Sequence, residues 1–342
     1  MKAVIYNDIN DYKVKDDIRE PEINDILNVK IKVKYCGICG SDIHKLLYEK
    51  PDSNYVKTKI LGHEITGVVI EKKTNVKKVN IGDMVVIEPL LYCGKCEMCK
   101  EGHVQFCKNI KSLGKDFGGG FAEYIVANEK QVYKIDKKEN LKISGMTDPY
   151  SVALHTTRLI KNKKVGLKIG IIGDGIIAIA CADFLSNRNQ VTIIGKHDNR
   201  KSILSKINVN YVDTNIITEK VNYFDVVIET VGGRQSDTLE KAIKICKPKG
   251  EIIVVGVYDN NFKFDISLRE SFYKELAIVG CNSFETINGI SEFKYALDYL
   301  NNKSKIANEL VSKTFEIDDF EDAIEYIKNR KQNNCIKIMI RM

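Results

Sequence analysis

The sequence predicts an α/β protein of two domains: an irregular, β-rich one and one built on a doubly wound parallel sheet. Three observations predict it. At 342 residues the chain exceeds what a single hydrophobic core usually serves. Its first half carries short β-like runs separated by loops rich in Lys, Asn and Gly. From about Gly166 onward, apolar strand-like runs alternate with amphipathic helical patterns, the order that produces a parallel sheet.

The β-rich half shows runs at 27–33, 65–70, 84–87 and 121–126, each punctuated by glycine. In the second half the apolar run Lys168–Ile172 leads through a glycine turn into a helical pattern at 176–186. Strands follow at 191–194, 209–212, 225–229 and 251–257, with helices from about Arg200 and over 236–246. Past Cys281 the pattern predicts a helix at 289–300, a strand near 314–317 and a helix at 318–328, which Asp318 or Asp319 is placed to cap. A strand at 337–340 ends the chain. The expected division is 1–147 with 285–342 for the β-rich domain, including a cysteine-bearing lobe at 89–110, and 148–284 for the α/β domain. The chain shows neither an internal repeat nor a low-complexity linker.

Composition excludes several classes. Apolar residues make up 44% and charged residues 29%, ordinary for a globular protein and too apolar for general disorder. The longest apolar runs have the length of core strands, far short of the ~20 residues a membrane span needs. The net charge of +7 is spread along the chain rather than gathered with aromatics, so no nucleic-acid or membrane partner is expected. The N-terminus turns polar at once, which suggests a cytoplasmic protein.

Six of the ten cysteines lie between Cys36 and Cys107. In a reducing compartment, tight cysteine spacing reads as metal binding first. Cys93-Gly-Lys-Cys96-Glu-Met-Cys99 followed by Cys107 has the spacing of a closed, tetrahedral four-thiolate zinc site, which is structural. An iron–sulfur cluster is the fairer rival, but the fourth cysteine comes eight residues on and no proline follows it. A zinc ribbon would need a second, separated cysteine pair. Four unrelated thiols at this spacing would be a coincidence.

A second set of residues offers an open site. Cys36-Gly-Ile-Cys39-Gly-Ser-Asp-Ile-His44 brings thiols and an imidazole, Gly62-His63-Glu64 an imidazole beside a carboxylate, and Asp148-Pro149 another carboxylate. Singly each is weak: a lone buried histidine is usually a core residue, and Asp-Pro is usually a turn. Together they form the ligand mix of a zinc that keeps one position open.

With these segments, with Gly82-Asp83-Met-Val-Val-Ile-Glu-Pro89 and with Gly120-Phe-Ala-Glu-Tyr124, the whole chain resembles the zinc-dependent medium-chain dehydrogenases of the alcohol, sorbitol and threonine dehydrogenase type. The resemblance implies a GroES-like catalytic domain beside a Rossmann domain. It implies that Cys39 and His63 hold a catalytic zinc and that Asp148 or Glu64 completes the set, directly or through water. Cys36 matches no ligand of the family. Ser41, His44 and Glu64 are the catalytic residues it implies: Ser41 passes the alcohol proton outward and His44 relays it to solvent. One departure is that most sorbitol-type members carry Glu-Pro where this chain has Asp148-Pro149, which leaves the third ligand open.

The run Lys168–Ile172 enters Gly173-Asp-Gly175-Ile-Ile-Ala178 and then a helix, the strand–turn–helix setting that makes a glycine triplet a dinucleotide fingerprint rather than a plain turn. Gly173 and Gly175 would let the backbone turn and approach a pyrophosphate, and Ala178 stands in the third place. The next strand ends at Gly195-Lys196-His197, with no acid to hold ribose hydroxyls. Lys196, His197 and Arg200 could instead pair with a 2′-phosphate, which favours NADP over NAD.

The expected protein is a zinc- and NAD(P)-dependent oxidoreductase with two zinc ions per chain, acting on a secondary alcohol such as a polyol, cyclitol or amino alcohol. It is expected to form a homodimer or homotetramer. Pocket residues would be spread over loops such as 46–55, 113–118 and 281–286. The rivals are a zinc-independent quinone or enone reductase of the same superfamily, whose members generally lack the Cys39, His63 and Glu64 set, and a non-catalytic zinc and nucleotide binder.

Overall fold

The structure is a computed structural model that describes residues 1–48, 59–216, 220–259, 266–330 and 332–342. The chain divides into two compact units. One comprises Met1–Asp148, Glu285–Lys303 and Leu310–Met342; the other comprises Pro149–Phe284 and Ser304–Glu309.

The first unit is built on a seven-stranded sheet. Along its main path run Val311–Glu316, Lys337–Arg341, Asn28–Gly37, Glu64–Lys72, Met84–Ile87 and Val132–Lys134, with Tyr124–Asn128 also paired to Asn28–Gly37. Alternation in Asn28–Gly37 sends Val29, Ile31 and Val33 into a core shared with Ile65, Val69, Val85, Ile87 and Phe121. The register sets Gly37 opposite Glu64 on one side and Met339 on the other. Residues from both ends of the chain thereby converge on one corner of the sheet. A short antiparallel pair, Leu90–Leu91 with Lys111–Ser112, closes the neck of the cysteine lobe.

The second unit carries six parallel strands in the order Asn210–Asp213, Gln190–Gly195, Lys168–Ile172, Phe224–Glu229, Cys246–Val254 and Ala277–Gly280. The central strands read as nearly continuous apolar runs because both sheet faces are covered. Ile172, Ile194, Phe224 and Val227 pack with Leu239, Ala242 and Ile243 of the helix Asp237–Ile245.

Several boundaries differ from the sequence expectation for local reasons. The strand expected at 251–257 spans Cys246–Val254, because a register shift between Phe224 and Val226 accommodates the turn at Lys249, where φ is 63°. The helix expected from 289 begins at Glu292 under a Ser291 cap, since Gly289 at φ 79° turns a small hairpin first. Asp319 holds the N-cap position of Phe320–Lys328, but its side chain makes no capping bond. Asp148-Pro149 lies in the first turn of a helix, Thr147–Leu159, rather than in a turn. Proline fits there because the first-turn N–H has no intrahelical partner to lose.

Candidate metal centres and nucleotide loop

The first unit assembles the mixed donor set. Cys39 ends the turn before the helix Gly40–Tyr48, and His63 and Glu64 lead into the strand Glu64–Lys72. Donor atoms of Cys39, His63 and Glu64 all lie within 4.8 Å of one another. His63 Nε2 faces Asp148 Oδ2 at 3.8 Å, which brings the fourth expected residue to the same place. A thiolate, an imidazole and carboxylates at this separation suit zinc. Cys36 stays outside: it is buried, its thiol points to the Gly37 carbonyl, and burial pushes its pKa well up.

Two partners of this cluster were not foreseen from the sequence. Asp42, fully buried on the helix Gly40–Tyr48, accepts the backbone N–H groups of Cys39 (3.0 Å) and Gly62 (3.3 Å) and faces His63 Nδ1 at 3.7 Å. It thus turns Nε2 toward the other donors, the outer-shell role that fixes a histidine ligand. Burial works against charge on both groups; for His63 the carboxylate of Asp42 and the thiol of Cys39 outweigh it and raise the pKa well above the usual value. Lys337 donates to the Ile38 carbonyl (2.9 Å) and to Glu64 Oε1 (2.5 Å). Burial raises the Glu64 pKa, with Lys337 and His63 opposing. The position of Asp42, three residues past Cys39, was a signal available in the sequence. Nothing near Lys337 pointed to Glu64.

Ser41 and His44 lie on the same helix three residues apart, so they share a face, and both are exposed. The His44 ring lies 6.1 Å from that of Tyr48. Of the loop at 46–55, residues 49–58 fall outside the described residues.

The four-cysteine cluster is equally local. Cys93, Cys96, Cys99 and Cys107 hold their sulfurs within 4.8 Å of one another, and Cys93 Sγ lies 4.0 Å from Cys99 Sγ. Tetrahedral zinc with bonds near 2.3 Å sets its sulfurs about 3.8 Å apart. Backbone N–H groups of Lys95 and Cys96 lower the Cys93 thiol to about 6. The lobe is tied to the returning chain by Thr286 N–H to the Gly102 carbonyl (2.9 Å) and by His103 to Glu285 (2.9 Å).

In the second unit, Lys168–Ile172 runs into Gly173 at φ 114°, where a Cβ would meet Thr230 Oγ1 at 2.3 Å. Gly175 is the N-cap of Ile176–Leu185 and supplies no side-chain cap, and a Cβ there would meet nothing within 4 Å. Open space over an uncapped helix N-terminus fits a phosphate. Ala178 is fully buried.

The strand end at Gly195 differs from the sequence expectation. A carboxylate does stand there, supplied by Asp174 from the glycine loop. Asp174 Oδ2 accepts the backbone N–H groups of Lys196 (2.8 Å) and His197 (2.9 Å) and faces His197 Nδ1 at 2.8 Å. Arg200 is buried, 2% exposed, and the other ring nitrogen of His197 is buried too. Of the three cations expected to meet a 2′-phosphate, only Lys196 is presented to solvent. The segment Gly195-Lys196-His197 shows no acid in the sequence because Asp174 comes next to Gly195 only across the sheet.

Residues 26–137 match the alcohol dehydrogenase GroES-like domain, and residues 173–302 match the zinc-binding dehydrogenase domain. The chain is 30% identical to a probable D-xylulose reductase A of Arthroderma otae, over 93% of this chain and 92% of the relative. It is 28% identical to a sorbitol dehydrogenase of Halalkalibacterium halodurans over 91% of each. A zinc-binding dehydrogenase from Sinorhizobium meliloti, solved with NADP bound, superposes with a TM-score of 0.85 at 25% identity, covering 100% of this chain and 99% of that one. Matching domains at both ends, near-complete coverage and two clusters of zinc-type donors agree: the chain belongs to the zinc-dependent medium-chain alcohol dehydrogenase family and is an NAD(P)-dependent oxidoreductase.

Proposed function

We propose that this enzyme interconverts a secondary alcohol of the polyol class and its ketone, with two zinc ions per chain. The observation that carries the reading is the convergence of Cys39, His63 and Glu64 within 4.8 Å, with Asp148 facing His63. Cys39 and His63 would hold the catalytic zinc through Sγ and Nε2. Asp148 is the better third ligand, since Glu64 already shares its charge with Lys337. When bound, zinc supplies Lewis-acid polarisation of an alcohol or ketone oxygen. Cys93, Cys96, Cys99 and Cys107 would hold the second, structural ion.

The chain's own residues then move the proton. Ser41, two residues past Cys39, accepts the alcohol proton, and His44 hands it to solvent from the same exposed helix face. Asp42 keeps the His63 ring oriented. Gly173, Gly175 and Ala178 shape the loop that would hold a dinucleotide pyrophosphate, with the helix N-terminus favouring its charge. The relatives named for sorbitol and D-xylulose support a polyol as the substrate class.

The edge strand Ala277–Gly280 and the neighbouring helix Leu268–Lys274 support a homo-oligomer: Leu268, Phe272 and Tyr273 are 71%, 76% and 67% exposed. No helix among the described residues is long and apolar enough to cross a membrane. None of the ten cysteines is in a disulfide, which fits a cytoplasmic setting.

The test is a panel of polyols, cyclitols and amino alcohols offered to the zinc-loaded protein with each nucleotide, followed by nicotinamide absorbance. Turnover of a polyol that is lost on chelation supports the reading. Reduction of quinones or enones that survives chelation would point to a zinc-independent reductase, and tight nucleotide binding with no turnover to a non-catalytic binder.

A further inference from the structure

The Gly195 strand end carries more than the loss of an expected acid. In a dinucleotide site of this topology the second strand ordinarily ends in Asp or Glu, whose carboxylate takes the ribose hydroxyls. Here that residue is Gly195, and its smallness has a steric cause. A Cβ on Gly195 would lie 2.4 Å from Asp174 Oδ2 and 2.8 Å from the Asp174 Cβ and Cγ. An acid cannot stand at the strand end because another acid already fills the space. The carboxylate has changed its point of attachment, from the end of one strand to the loop after the neighbouring strand.

Its hydrogen bonding leaves it half available. Among the described residues, the groups that reach Asp174, the N–H groups of Lys196 and His197 and the His197 ring, all meet Oδ2. Among the described residues none donates to Oδ1. A carboxylate offers about four acceptor positions over its two oxygens, so Oδ1 is left for a ligand. The side chain is only 12% exposed, so its direction is set by these partners. The loop that carries it is the one whose open Gly175 fits the pyrophosphate.

Resting on the dinucleotide reading above, we propose that Asp174 is the specificity-determining residue of the nucleotide site, accepting the ribose hydroxyls through Oδ1 and excluding a 2′-phosphate, so that NAD is preferred over NADP. A 2′-phosphate at this strand end would face the Asp174 carboxylate, and of Lys196, His197 and Arg200 only Lys196 is presented to solvent to offset it. His197, spent on Asp174 through Nδ1 and buried at Nε2, offers the phosphate no donor. The sequence pattern of Gly195, Lys196 and His197 alone points the other way, toward NADP. Asp174 reverses that reading.

Equilibrium titration of the zinc-loaded protein with NADH and NADPH, without substrate, tests this by nicotinamide fluorescence. The parent is expected to bind NADH about tenfold or more tightly than NADPH, the range of hydrogen bonds to a charged group. Asp174→Asn keeps the size and an acceptor oxygen for the backbone N–H groups. It is expected to weaken NADH and tighten NADPH, moving their ratio by about ten- to a hundredfold. A purely structural role would weaken both nucleotides together. A parent that binds NADPH more tightly, or a variant whose ratio stays within about threefold of the parent's, overturns the assignment. The parent's ratio serves even where the variant does not fold. If neither nucleotide binds the parent, the dinucleotide reading itself fails and takes this inference with it, a result distinct from a reversed preference.

Discussion

The Lys337 ammonium lies 2.5 Å from the Glu64 carboxylate, and the two side chains are 2% and 1% exposed although 273 positions separate them in the chain. A charge left alone in such a place has neither water nor a partner, so removing one side costs far more than the pair contributes. Lys337→Met is expected to destabilise the zinc-stripped protein, in which no ion compensates Glu64, by about 3–5 kcal/mol. Adding Glu64→Gln should recover much of that loss. Urea unfolding of the two variants measures both; a double variant no more stable than the single one would show that the stranded carboxylate is not the cause.

The two donor clusters predict two zinc ions per chain. Cys93→Ser should lose one ion and much stability, because a closed zinc site contributes directly to folding. His63→Ala should lose the other ion and nearly all activity while the fold persists. Asp42→Asn should weaken that same ion by about 10–100-fold through the His63 ring. Metal analysis of the parent that finds a single ion would sink the two-site assignment.

Ser41→Ala should lower turnover by about 100-fold or more, the contribution of a positioned proton-transfer group, with zinc content and nucleotide affinity unchanged. His44→Ala should cost less, since water can replace the outer relay on an exposed helix face. A serine variant within about threefold of the parent rate would remove Ser41 from the proton path.

Glu88 makes the stability pH-dependent. It is buried, its carboxylate accepts the Tyr133 hydroxyl at 2.7 Å, and burial raises its pKa from 4.5 to about 7. Tyr133, Ser291 and Lys78 oppose that rise, and Asp148 adds to it. The folded state therefore holds this proton more tightly than the unfolded one. Its contribution is fully present below pH ~4.5, falls as pH rises and is lost above pH ~7. The span is about 2–4 kcal/mol. Glu88→Gln should flatten the profile between those limits and gain stability relative to the parent at pH 8. Denaturant midpoints of the two proteins at pH 5 and pH 8 provide the comparison, and parallel profiles would contradict it.

Local spacing carries the features that can be read along the chain. The cysteines at 93, 96, 99 and 107 meet because gaps of two and seven residues let a short chain fold around one point. The glycine loop is legible because a strand, a tight turn and a helix follow one another within some twenty residues. The alternation of strands and helices points to the parallel sheet, since burial on both faces makes its strands near-continuous apolar runs. Tertiary structure decided the relations that span the sheet. Asp174 meets Gly195 because parallel pairing sets Ile172 beside Ile194 and ends both strands at one edge. Glu64 meets Lys337 because Gly37, between their strands, has no side chain to keep them apart; a Cβ there would lie 2.1 Å from Glu64 Oε2. A polar residue's partner is chosen by register and by the space its neighbours leave, and neither is written in the residues on either side of it. That is why the residues of the two donor clusters could be named in advance, while Asp42 and Lys337 beside one of them, and Asp174 beside Gly195, could not.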